Sequence, residues 1–341
     1  MRNETRKLFN QYTQRLAQLN GAENAFASFD IDPSVQQTLE TKIQESSDFL
    51  TRVNMVGVRD LVGQKLGLGI NGPIAARTDV SQRDRSPVDP TVMDNNEYRC
   101  ESTEYDTYLS WAKLDAWARF PDFQARVRDA IVKQQALDRI MIGFNGTSAA
   151  KQTDRTTNPL LQDVNIGWLQ KYRNHSPARV IKDHTIGKGQ EFQNLDALVY
   201  EAVNSLIEPW YRDSTDLVAI VGRSLMTEKY LPMVNQYEQP TESRALDLIM
   251  AAKRIGGLNS YQAPFMIENG IFITSFENLS LYWQEGSRRR FLKDKPERKR
   301  VENFESSNDA YVVEDYGFGC LIEGISFGDA ETATTTETTG A

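Results

Sequence analysis

The chain has 341 residues, 40% hydrophobic and 25% charged, the balance of a water-soluble globular protein large enough for one large domain or two closely joined ones. No stretch approaches the roughly 20 apolar residues that cross a bilayer, and MRNETRKLFNQYTQRL has no apolar run behind its basic residues, so neither a membrane helix nor a secretory signal is expected. A net charge of -8 gains little from a polyphosphate backbone and argues against a dedicated nucleic-acid binder.

Residues 2–19 place Leu8, Tyr12, Leu16 and Leu19 at spacings of three and four, an amphipathic helix that Asn20-Gly21 ends. The small, polar stretch 22–29 reads as a linker. Asp32-Pro33 then opens a second helix, Asp capping free amides and Pro needing no donor at the first position. Its apolar stripe of Val35, Leu39, Ile43 and Leu50 is thin, as in a helix lying along a surface, its own or a neighbour's. Residues 65–70 alternate as a strand does. The polar run that follows, with Asp79, Arg83, Asp84, Arg85, Pro87 and Asp89, reads as an extended excursion or mobile loop.

Residues 122–144 give the strongest local signal. Phe123, Val127, Ala130, Ile131, Leu137, Ile140, Met141 and Phe144 share one face, and Arg126, Arg128, Asp129, Lys133, Asp138 and Arg139 fill the rest. Asp122 is a candidate cap, Asn145-Gly146 the stop, and the rod should be roughly 33 Å long. The second half alternates: a helix over 195–207 ended by Pro209, a buried strand at 216–221, and a helix through Leu246, Ile249, Met250 and Lys253 closed by Gly256-Gly257. Strands follow at 271–276 and 279–283. A hairpin turns at Lys295-Pro296-Glu297, and further strands lie at 311–314 and 320–325. The tail ETATTTETTGA has almost nothing to bury and is expected to be disordered.

Little chemistry emerges. Gly67, Gly69 and Gly72 fit G-x-G-x-x-G, but Pro73 follows with no helical period, so the context of a dinucleotide site is missing. His175 and His184 lack metal-pair spacing, and Cys100 and Cys320 read as free thiols of a reducing compartment. No catalytic residue, cofactor or metal is expected. The basic cluster Arg288, Arg289, Arg290, Lys293, Lys295, Arg298, Lys299 and Arg300 reads as a solvated hairpin before it reads as a phosphate patch.

The string DFQARVRDAIVKQQALDRIMIGFNGTSAA, over 122–150, resembles the spine helix and following loop of major capsid proteins of P2-type (peduovirus) tailed bacteriophages. RNETRKLFNQYTQRLAQLNG, PSVQQTLETKIQESSDFL and NDAYVVEDYGFGCLIEGI agree, in order, over nearly the whole chain. The resemblance implies an α+β, Hong Kong 97-like capsid fold. Its expected parts are an N-terminal segment at 1–31 that is cleaved or binds scaffold, an N-arm helix at 32–55 and an extended loop at 56–112. A peripheral domain with the spine helix follows at 113–166, an axial domain at 167–263, closing strands returning to the peripheral domain at 264–328, and the tail at 329–341.

The same resemblance implies self-assembly into hexamers, pentamers and a closed icosahedral shell, assembled in the bacterial cytoplasm and ending as the virion capsid. Its partners would be a scaffold protein with protease activity, a portal protein and packaged double-stranded DNA held without sequence-specific contact. A nanocompartment shell of the same fold, or a cytosolic α/β enzyme, are the alternatives. Three groups of residues follow as candidates. Val127, Ile131, Leu137 and Met141 should pack the spine helix. Arg288, Arg289 and Arg290 should pair with carboxylates of neighbouring subunits. Maturation cleavage should fall within Ala25, Phe26, Ala27, Ser28, Phe29, Asp30, Ile31 and Asp32.

Overall fold

The computed structural model describes residues 1–341 except 66–68, 71–74, 88–90, 93–96, 228, 230–253 and 329–341. The helix expected through Leu246 to Lys253, the tail, and most of the glycine motif lie outside the described residues. The described chain divides into two compact units, one of Met1–Lys171 with Phe276–Asp315, the other of Tyr172–Ser275 with Tyr316–Ala341.

In chain order the elements are α1 (Asn3–Leu19), β1 (Phe29–Asp30), α2 (Pro33–Glu45), α3 (Asp48–Arg52), β2 (Asn54–Val58), β3 (Val62–Gln64), β4 (Gly69–Ile70), β5 (Thr91–Val92), β6 (Glu97–Arg99), β7 (Glu101–Glu104), β8 (Thr107–Ser110), α4 (Trp111–Trp117) and α5 (Phe123–Asn145). There follow α6 (Trp168–His175), β9 (Val180–Lys182), β10 (Thr185–Ile186), α7 (Leu195–Leu206), β11 (Val218–Val221), β12 (Arg254–Ile255), β13 (Leu258–Tyr261), β14 (Ile271–Thr274), β15 (Leu279–Gln284), β16 (Arg289–Lys295), β17 (Arg300–Val313), β18 (Cys320–Glu323) and β19 (Ser326–Phe327).

The first unit is built on a sheet of order β1-β16-β17-β15-β2, with β7 and β8 also pairing with β17. The strand that leaves the expected hairpin turn and the one expected at 311–314 are a single 14-residue strand, β17. β2 runs parallel to β15, and Tyr98 and Cys100 pack with Tyr282, Ala310 and Val312. The excursion from residue 56 is therefore anchored at both ends in its own sheet; among its described residues, 75–87 form no strand and are almost wholly exposed. The cap before α2 is as expected, Asp32 accepting from the Ser34 amide at 2.9 Å. Asp122 caps nothing; its carboxylate accepts instead from Arg126 Nε at 2.9 Å, an i,i+4 pair.

Helix α5 buries Phe123, Val127, Ile131, Val132, Gln135, Ala136, Arg139 and Ile140. Leu137 and Met141, expected in the core, are only half-buried, and Ala130 is exposed. The buried face has turned toward Gln135 and Arg139 because the surface it meets on β17 is polar. In α1, Phe9 and Tyr12 are buried with Leu114, Phe123, Val127 and Val301.

The second unit carries a sheet of order β12-β13-β11-β14-β18-β9 covered by α7, whose Leu195, Leu198, Val199 and Ala202 join one apolar cluster with Ile220's neighbours Ala219 and Val221. Gly256 and Gly257, expected to close a helix, turn the β12–β13 hairpin instead. Their φ values of 56° and 83° explain the residue choice. Strands β14 and β18, expected back in the peripheral domain, pair with each other here. Ile271–Thr274 is buried at every position, so it needs a strand on each side and cover on both faces, as it finds between β11 and β18. Only 276–315 return to the first unit.

Candidate functional site

The first unit holds a network of buried ions that the sequence pattern did not announce. Strand β17 turns Asn303, Glu305, Ser307, Asp309 and Tyr311 inward, a period-two face that is polar for most of its length. Helix α2 turns Gln36, Glu40 and Ile43 inward, and α5 turns Gln135 and Arg139. These faces meet Arg288, which just precedes β16 and is fully buried.

The geometry is dense. Arg288 Nη1 donates to Glu40 Oε1 at 2.5 Å; its Nε and Nη2 donate to Glu305 Oε1 at 2.9 and 2.6 Å, and Nη2 also reaches Gln135 Oε1 at 2.6 Å. Arg139 Nη1 donates to Glu40 Oε2, and Nη2 donates to Asp309 Oδ1 at 3.1 Å. The Tyr105 hydroxyl donates to Asp309 Oδ2 at 2.9 Å, and that of Tyr311 to the Arg139 carbonyl at 3.0 Å. Glu40 thus bridges both guanidinium groups, joining the second helix, the long helix and the sheet.

Burial alone would push the Glu40 carboxyl up, but Arg139 and Arg288 overcome it and hold it below the usual range. Glu305 follows the same balance: burial raises it, yet Arg288 and Arg290 bring it down to about 2. Burial would weaken the arginines' hold on their protons, and the facing carboxylates more than restore it. With Glu40 and Glu305 held ionised by the guanidinium groups and Arg139 and Arg288 held charged by the carboxylates, the network is suited to holding elements in register and not to moving protons.

A pH dependence follows. A carboxyl whose pKa is depressed on folding stabilises the protein above its unfolded value, and that contribution is lost as pH falls through the folded value. For Glu305 it should amount to on the order of 3 kcal/mol, present at pH 5 and lost between about 4.5 and 2. Asp106 and Asp138, pushed up by burial, act in the opposite sense, so the contribution is isolated with Glu305→Gln. The gap in Tm between the wild-type protein and this variant should shrink steadily from pH 5 to pH 2; a constant gap would show that Glu305 is not held ionised.

The candidate residues distribute unevenly around this network. Arg288, expected to reach a neighbouring subunit, has no exposed surface with which to do so; every donor group it carries serves its own chain. Arg290 donates to Asn303 Oδ1 at 2.7 Å and to the Tyr12 hydroxyl at 3.2 Å. Only Arg289 faces outward, 3.3 Å from Asp30, both side chains largely exposed. The expected cleavage linker is in part an edge strand: Phe29–Asp30 pair with Arg290 and Arg289, and Ala25 O accepts from the Leu292 amide at 3.1 Å. Ala25 and Ile31 are buried, leaving Phe26, Ala27 and Ser28 as the exposed run.

Both cysteines are free, and burial pushes each thiol up to about 12, which keeps them protonated and unreactive. His175 lies against Tyr316 and His184 against Phe192. Among the described residues no group of three or more His, Cys, Asp or Glu is placed to hold a metal ion, and no helix is long and apolar enough to cross a membrane.

Residues 8–325 match the family model described as phage major capsid protein, P2 family. A capsid protein of Escherichia phage P2 is 48% identical over 97% of both chains, and the major capsid protein of Serratia phage KSP20 is 44% identical over 97% of this chain and 99% of its own. Among solved structures, a chain of the satellite phage P4 procapsid with size determination (Sid) protein is 46% identical, with a TM-score of 0.81 over 96% of this chain and 99% of that one.

Proposed function

Because the chain belongs to the P2 family of phage major capsid proteins and is a shell subunit of the virion capsid with the Hong Kong 97-like fold, we propose that its two units take the peripheral and axial roles of that fold. The peripheral role goes to the first unit, which carries the long helix α5; the axial role goes to the second, with its six-stranded sheet. The observation that carries this reading is the match to phage capsid proteins over nearly the full length of both partners. The protein's work is assembly and not catalysis, with the ionic network keeping arm, spine and sheet in one register while neighbours bind.

On this reading copies form hexamers and pentamers that close around double-stranded DNA without sequence-specific contact, next to a portal protein and a scaffold protein with protease activity. Likeness to a chain held in a procapsid supports a precursor stage. Expression of the chain alone followed by negative-stain microscopy tests the self-assembly: closed shells are expected, and only monomers or amorphous aggregate would count against it.

Trimming of the N-terminal segment belongs to the same proposal. The exposure of Phe26, Ala27 and Ser28 between two buried anchors supports a cut there. Intact-mass measurement of protein from mature virions should give a chain lacking roughly its first 26 to 28 residues; the mass of all 341 residues would remove the idea.

A further inference from the structure

An open groove of about 280 Å³ runs between α1 and the pair α2 and α5 in the first unit. Leu16, Ile31, Val35, Leu39 and Ala125 form its apolar floor, and Leu19 at its edge is 55% exposed. Around it stand Arg15, Lys42 and Arg128, and the lining contains no carboxylate. That is unusual placement for a chain of net charge -8. Among the described residues, Lys42 and Arg128 pair only with the nearby exposed Glu45 and Asp129, and Arg15 meets no carboxylate.

We propose that this groove docks an acidic amphipathic helix of another protein. The floor offers apolar surface at the half-buried Leu16, Val35, Leu39 and Ala125, which a helix can cover with residues at i, i+3 and i+7. The rim supplies positive charge on both walls, so carboxylates flanking those residues are attracted and lysines repelled. A nucleic acid would use the rim but leave the apolar floor unpaid for, so it fits less well. The inference rests on the reading that the shell assembles first with a protein partner, and it adds where that partner sits. It also adds timing. One wall is α1, upstream of Phe26, and the other wall lies downstream, so a cut at that point leaves the walls without a covalent link.

The test uses the full-length chain and three fluorescein-labelled probes read by anisotropy: a synthetic helix with leucines at every third and fourth position flanked by glutamates, its lysine counterpart, and a DNA duplex. The wild-type protein should bind the glutamate helix about tenfold or more tightly than the lysine helix. Arg15→Glu with Arg128→Glu, both at exposed positions, should invert that preference while leaving Tm unchanged. Binding of neither helix, equal binding of both, a preference unmoved by the charge reversal, or binding of DNA alone would each overturn the proposal. Negative-stain microscopy of the wild-type chain without probes reads shell formation separately, so a failed shell and an empty groove are told apart.

Discussion

Arg288→Ala is expected to abolish shell formation by unfolding the first unit, whereas Arg289→Ala, one residue along, should leave both folding and Tm nearly unchanged. Removing the Arg288 guanidinium strands Glu305 and Glu40 in part, both about as buried as side chains become: Glu305 loses its ion pair and keeps only the field of Arg290 and a long contact from Asn303, and Glu40 keeps Arg139. Breaking a buried ion pair from one side typically costs about 3–5 kcal/mol, a large share of the stability of a domain. The exposed Arg289–Asp30 pair is worth about 0–1 kcal/mol. Differential scanning fluorimetry of freshly purified subunits measures both. If Arg288→Ala keeps the wild-type Tm and fails only in shell closure, Arg288 serves a neighbour after all and the buried network is misassigned.

Trp168→Ala should be comparably severe. Trp168 is fully buried, its indole Nε1–H donates to the Ser280 carbonyl at 3.0 Å, and its ring meets Phe49, Phe144 and Tyr311 edge to face at 6.0, 5.7 and 5.2 Å. It also packs closely against Gly143 of α5: a Cβ there would stand 2.2 Å from the ring, so the glycine is what lets the helix approach. Truncation removes the ring contacts and leaves a cavity, for a cost of about 3–5 kcal/mol. Urea denaturation should show the midpoint falling with the slope unchanged. A loss below about 1 kcal/mol would mean the surrounding aromatics collapse into the space. Gly143→Val should reproduce part of the defect by pushing the ring away.

Several elements were legible in the residues because one local rule decided each of them. Asp32-Pro33 starts a helix by satisfying free amides, whatever lies nearby. The apolar run in α7 must face a core, and the short apolar run at 216–221 reads as a buried strand, as β11 is. Long strings shared in order with a capsid family indicated the shell function, which no motif chemistry could have supplied.

Other features depended on partners far along the chain. Hydrophobic periodicity put Leu137 and Met141 in the core and Arg139 in water, since it counts only apolar residues. The fold instead opposed Arg139 to Glu40, 99 residues away, and Asp309, 170 residues away, so the helix turned its polar side inward. For the same reason Arg288 could not be told from Arg289 by sequence: neighbours in the chain at the start of β16, they point to opposite sides, one into the network and one into solvent. Local pattern determined which segments are helices and strands. Only tertiary structure decided which charges are buried, because the free energy of burying a charge is set by the opposite charges that folding brings to it.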